Sequence, residues 1–129
     1  MNHDILTRED IRLLVDSFYS QVREDSLLKD IFEHAIGEEW PRHLDKMYRF
    51  WETVLLDLHT YSGAPFIPHA RLPIDTEHFQ RWLTLFYATV DRHFSGDKAT
   101  EAKWRAGKMA EIFLAKITYY RDHPAHPLK

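Results

Sequence analysis

Tyr61-Ser62-Gly63-Ala64-Pro65-Phe66-Ile67-Pro68-His69-Ala70-Arg71-Leu72 is the segment on which the rest of the chain turns. It carries one glycine and two prolines, and Pro73 follows at once. Proline lacks a backbone donor and its ring clashes with the preceding turn, so no long helix passes through residues 59 to 74. One short helical turn fits just after Pro68, and His69 is expected to open it. Proline restricts the residue before it, so this turn must stop near Pro73. A rigid loop therefore presents a single imidazole between two long, aromatic-rich stretches.

Those stretches have helical periodicity. Thr7 and Asp10 have the spacing of a capping box. Ile11, Leu14, Val15, Phe18, Tyr19 and Val22 follow as one apolar stripe. A second, short helix is expected from about Ser26 to Ile36, with Gly37 as its stop. A third runs from about Glu38 to Leu58, with Pro41 tolerated in its first turn. Trp40, Leu44, Met47, Trp51, Val54, Leu55 and Leu58 mark its inner face, and His43 shares a face with Met47 four residues on. Beyond the loop, Asp75 or Thr76 caps a fourth helix whose stripe is Phe79, Trp82, Leu83, Phe86 and Val90. The last helix spans about Lys98 to Tyr120, with Ala102, Ala106, Met109, Ala110, Phe113 and Ile117 inward. No segment alternates in the manner of a strand, so the fold class is all-α.

The chain has 129 residues, the size of one domain, with a core at about 7–120 and a frayed tail at 121–129. Its 44% hydrophobic content is enough for a core without disulfides. It has no cysteine, which removes thiolate nucleophiles and thiolate metal sites and agrees with a reducing, cytoplasmic setting. A formal charge of −3 argues against a nucleic-acid partner. No apolar run is long enough for a membrane span, and the polar start Met1-Asn-His-Asp is no signal peptide. There are nine histidines, with eight Phe, six Tyr and four Trp. Rings that fill a helical core account for the aromatics; so does a flat aromatic cofactor that needs rings to pack against.

Four segments in register resemble one family, the truncated haemoglobins of group III. They are Phe18-Tyr19 at the end of the first stripe, Trp40-Pro-Arg-His43 followed by Phe50-Trp51, Tyr61-Ser-Gly63-Ala-Pro65-Phe-Ile-Pro-His69, and Trp82-Leu-Thr-Leu-Phe86. The resemblance covers about residues 7 to 120. It implies a shortened globin fold, a two-over-two helical sandwich around haem b. His69 would be the proximal iron ligand, Tyr19, His43 and Trp82 would line the distal side, and Phe32 and Met47 would pack on the porphyrin. Pro68, directly before the ligand, departs from the pattern expected of many relatives and bears on the orientation of His69. His78 is the rival ligand, sharing a helical face with Trp82, Leu85 and Phe86, but the family register puts it past the proximal turn. His34, His59 and His93 fall at surface or boundary positions, and His3, His123 and His126 near the termini. His34, His59 and His93 lack a close partner at zinc-site spacing.

The resemblance also implies diatomic ligands: oxygen, nitric oxide and carbon monoxide. Tyr and Trp donate hydrogen bonds, and His donates or accepts according to its tautomer. Toward a partly anionic ligand each such bond is worth about 1.5–3 kcal/mol, which slows release by roughly ten- to a hundredfold. Slow release suits ligand chemistry, namely nitric oxide dioxygenase-like or peroxidase-like detoxification, better than oxygen delivery. The chain has no room for a flavin or nicotinamide domain, so a cycle would draw on an external reductase. Lys46 and Arg71 are candidate partners for the haem carboxylates. A monomer or weak dimer is expected. A gas sensor and a haem-free helical interaction domain are the alternatives; a Soret band separates the second, and autoxidation and nitric oxide consumption separate the first.

Overall fold

The computed structural model describes residues 2–126. Five α-helices carry the chain: α1 Arg8–Val22, α2 Lys29–Ile36, α3 Trp40–Leu56, α4 Thr76–His93 and α5 Asp97–Asp122. Single 3-10 turns at Gly37–Glu39 and Ile67–His69 lead into α3 and interrupt the proline loop. Among the described residues there is no strand, only an isolated bridge between His3 and Phe94. No helix is long and apolar enough to cross a membrane. α1 packs on α3, α4 packs on α5, and α1 crosses onto α4. These two layers of two form the helical sandwich that the resemblance implies.

Local chemistry sets the helix ends. Thr7 Oγ1 accepts from the Asp10 N–H at 3.1 Å, and Asp10 accepts in return from the Thr7 N–H, which completes the expected capping box. The second helix begins at Lys29 rather than Ser26. The Asp25 carboxylate takes the N–H groups of Leu27 and Leu28, both at 3.0 Å, and is held by Arg81 from α4. Those residues form a turn, and the helix starts after them. α3 stops at Leu56 because Asp57 adopts a left-handed conformation, φ 57°. Leu58, expected on the inner face, is consequently off the helix and exposed. Of the two cap candidates for α4, Asp75 is the one used. α5 continues to Asp122, two residues beyond its expected end. The portion of the expected tail past His126 lies outside the described residues.

The first stripe is buried in full, from Ile11 to Val22. Its Phe18 meets Phe86 of α4 edge-on at 5.3 Å. Phe86 is itself sandwiched between Trp51 and Trp82, with ring centroids 5.2 and 5.7 Å away. Offset stacks of this kind add to the burial of the rings. α5 turns a face of small side chains inward, Ala99, Ala102, Ala106 and Ala110, which lets α4 approach closely. Periodicity did not reveal one buried acid, Glu52. It accepts from Thr60 Oγ1 at 2.9 Å and lies 3.9 Å from Arg8. Beside it, Thr53 Oγ1 accepts the N–H groups of Thr60 and Tyr61 and so anchors the start of the proline loop to α3.

The N-terminal segment closes the fold. Asp4 accepts the Lys98 and Ala99 N–H groups at 2.9 and 2.8 Å, capping α5 from a distant part of the chain. Burial would raise its carboxyl, but the hydrogen bonds from Lys98, Ile5 and Ala99 outweigh this and hold it below the usual carboxylate range. Its contribution to stability is therefore present above the ordinary carboxylate pKa and fades as pH falls through the depressed one. Gly96 has φ +134°, and a Cβ there would lie 2.6 Å from Asp4 Cγ. Asp4→Ala should cost about 1 kcal/mol, lowering the melting temperature by roughly 3–5 °C at neutral pH and by less in acid. Gly96→Ala should cost more, through both clash and strain. Melting curves at two pH values check both; an Asp4→Ala effect that does not shrink in acid would exclude the cap.

Candidate functional site

A cavity of about 530 Å3 lies between the two helix layers, within the usual range for a small-molecule or cofactor site. Every helix contributes to its wall, and so does the proline loop. All six residues singled out in the sequence line it: Tyr19, Phe32, His43, Met47, His69 and Trp82. The structure thus brings one residue from each of α1, α2, α4 and the loop to one space, with two from α3.

His69 closes the 3-10 turn rather than opening it, because the turn begins at Ile67. The change has a consequence for hydrogen bonding. In the tight turn the His69 N–H donates to Phe66 O at 2.8 Å instead of reaching back four residues to Pro65. The residue three after Pro65 is Pro68, which has no N–H. The Pro65 carbonyl is therefore left without a main-chain donor, and the His69 ring takes it, with Nδ1 2.7 Å from the oxygen. A carbonyl only accepts, so Nδ1 carries the proton and Nε2 keeps its lone pair. This gives Pro68 a physical role in the turn. Burial lowers the pKa of His69, against the carbonyl bond, which favours the charged ring. Phe113 of α5 backs the ring, with centroids 5.0 Å apart.

Three groups with polar tips share the cavity with His69. Tyr19 is 7% exposed and meets the His43 ring edge-on at 5.0 Å. Burial pushes its phenol far above the ordinary value, so its proton stays on. His43 is lowered to about 4, first by burial, then by repulsion from the His69 ring once acid protonates it, and from Lys46. It is a neutral imidazole at physiological pH. Its Nε2 is buried and has no hydrogen-bond partner among the described residues. Buried polar atoms are rarely left so, and this one points to a missing ligand. Trp82 is held by its stack on Phe86 and an edge contact with Phe18 at 5.5 Å.

The rival histidine has another task. His78 Nδ1 accepts the Asp75 N–H at 3.0 Å and forms part of the α4 capping box, although the residue borders the cavity. His34 and His59 are exposed, and His93 is half-buried. Lys46 lines the cavity; Arg71 does not. Arg42, which sequence reasoning passed over, lines it beside Glu39, 3.5 Å from its carboxylate. Its place four residues before Lys46 on the same helix was the available signal. A neutral imidazole with its second nitrogen fixed, facing apolar walls and an unpartnered polar atom, fits a haem.

The comparisons with known proteins agree with this geometry. The model of the bacterial-like globin family matches residues 3–114. The group 3 truncated hemoglobin of Campylobacter jejuni is 33% identical over 127 residues, covering 95% of this chain and all of that protein. The crystal structure of a group III truncated hemoglobin from Campylobacter jejuni superposes with a TM-score of 0.83 at 33% identity, covering 91% of this chain and 95% of the other. Fold, cavity and sequence converge: the chain belongs to the bacterial-like globins, and among them to the truncated haemoglobins of group III.

Proposed function

We propose that this globin holds haem b in the central cavity and uses it for chemistry on diatomic ligands, in nitric oxide or peroxide detoxification, rather than for oxygen delivery. The observation that carries the reading is the unpartnered, buried Nε2 of His43 in a cavity that His69 also lines. When bound, the group would supply an iron atom held by His69, with an affinity for small gases set by that ligand and by the polarity of the cavity.

The chain's own residues account for the rest. His69 offers Nε2 as the proximal ligand, and the Pro65 carbonyl fixes its tautomer and makes it a stronger donor of electrons. Phe32 and Met47 supply apolar, adaptable walls. Lys46 and Arg42 border the cavity and would meet the cofactor's carboxylates. On the distal side Tyr19 and Trp82 donate hydrogen bonds. His43 stays neutral and adjusts its tautomer to the ligand. In a site shielded from water these dipoles act more strongly than in solution. Oxygen, nitric oxide and carbon monoxide are the ligands of this reading, and an external reductase supplies the electrons for turnover.

Reconstitution tests the assignment. The full chain should take up protoporphyrin IX iron, show the pyridine haemochrome of haem b, and give a ferrous iron–imidazole band in resonance Raman that His69→Gly abolishes. A band that survives His69→Gly would transfer the ligand role to another residue. Tyr19→Phe removes a charge-assisted bond of about 1.5–3 kcal/mol and should speed oxygen release roughly ten- to a hundredfold. An unchanged rate by stopped flow removes Tyr19 from the role. Because His43 is lowered to about 4, release should be flat from about pH 5.5 to 8 and change only in stronger acid. An inflection near the ordinary imidazole value would show that His43 leaves the cavity and meets water. Rapid nitrate formation from nitric oxide by the oxygenated protein, with a slow overall autoxidation, favours detoxification over sensing.

A further inference from the structure

Arg121 lies near the end of α5, past residue 114, where the family-model match stops. Composition marks this position as the start of a frayed tail. Its guanidinium instead reaches the loop that carries His69. Nη1 donates to Asp75 Oδ1 at 2.7 Å and Nη2 to the Ile74 carbonyl at 3.0 Å, with the Leu72 carbonyl 3.4 Å away. Main-chain bonds continue from there to the ligand turn. Ile74 N–H donates to Leu72 O at 2.9 Å, Leu72 N–H to His69 O at 3.1 Å, and His69 N–H to Phe66 O at 2.8 Å. A continuous run of hydrogen bonds thus connects the end of α5 with the backbone of the histidine.

The packing follows the same path. Ala70 and Ile74 of the loop are buried in one cluster with Phe66 and with Ile117 of α5. Phe66 lies 5.4 Å from Phe113 and 5.9 Å from Tyr120. The loop therefore rests on the C-terminal half of α5, and Arg121 fastens its far end.

The energetics separate two roles for this contact. The pair with Asp75 is exposed, 47% and 64% for the two side chains. Ion pairs so open to water add little to global stability. A planar guanidinium, however, directs its donors at fixed angles, so it sets geometry even where it contributes little free energy. We propose that Arg121 is a positioning residue for the iron ligand: by tying Leu72–Asp75 to α5 it sets the orientation in which His69 presents Nε2 to the cavity. The proposal rests on His69 being that ligand.

The test uses the full haem-loaded chain and the variant Arg121→Ala. Arg105→Ala serves as the control, since Arg105 makes an exposed pair with Glu101 on the same helix. Resonance Raman of the ferrous protein reads the iron–imidazole stretch, and hydrogen exchange reads the amides of Ala70, Leu72 and Ile74. Arg121→Ala should shift and broaden the band and speed exchange at these amides about fivefold or more, while the melting temperature stays within roughly 3 °C of the parent. Arg105→Ala should change neither band nor loop exchange. An Arg121→Ala band identical to a parent band that His69→Gly abolishes would overturn the positioning role and leave His69 as ligand. The same holds if melting falls while the band stays put, since that is a purely structural effect. A parent protein with no His69-dependent band would overturn both assignments.

Discussion

The bond from His69 Nδ1–H to the Pro65 carbonyl, 2.7 Å long, is the constraint on which the site depends. It decides which nitrogen carries the proton, and so which one is free in the cavity. Two neighbouring features leave that carbonyl to the ring alone. Pro68 has no N–H, and the 3-10 geometry gives the His69 N–H to Phe66 instead. A regular α-turn with an ordinary residue at 68 would satisfy the Pro65 oxygen through the backbone. The ring would then share that oxygen with a main-chain donor, through the carbonyl's second lone pair, rather than hold it alone.

Desolvation organises the opposite side of the cavity. Tyr19 keeps its proton and His43 stays uncharged because the cavity disfavours both ionic forms. Neutral, polar groups held in place interact with a partly charged partner with little reorganisation. The ring stack of Trp51, Phe86 and Trp82 forms apolar wall beside them and holds Trp82 in place. The same aromatic residues that make the core therefore also shape the site. This is why composition could assign them equally to plain packing or to a cofactor.

Much of the fold was legible in the chain. Thr7 and Asp10 cap α1, the stripe from Ile11 to Val22 is buried, and Gly37 ends α2. These are local effects, decided by residues within a turn of one another. Failures occurred where a distant partner intervenes. Ser26 does not begin a helix because Asp25, pinned by Arg81, captures the amides that follow. Leu58 is not inward because the chain turns left-handed at Asp57. Arg121 belongs to an ordered helix because it has partners in the loop 46 residues away. Asp4 caps a helix that begins more than ninety residues later, and no local pattern announces such a cap.

For the site the division is similar. Which side chains meet in the cavity followed from the family resemblance, whereas the order of residues by itself determined the helical class and the proline-bounded loop. Periodicity and turn chemistry act over a few residues and leave a direct trace in the order of side chains. Only the tertiary structure decided that the His69 ring bonds Pro65, that His43 is left with an unpartnered nitrogen, and that Arg42 rather than Arg71 borders the cavity beside Lys46. Those facts depend on direction and burial. Both arise when helices distant in sequence exclude water from a shared space, and neither is encoded in the spacing of residues along one of them.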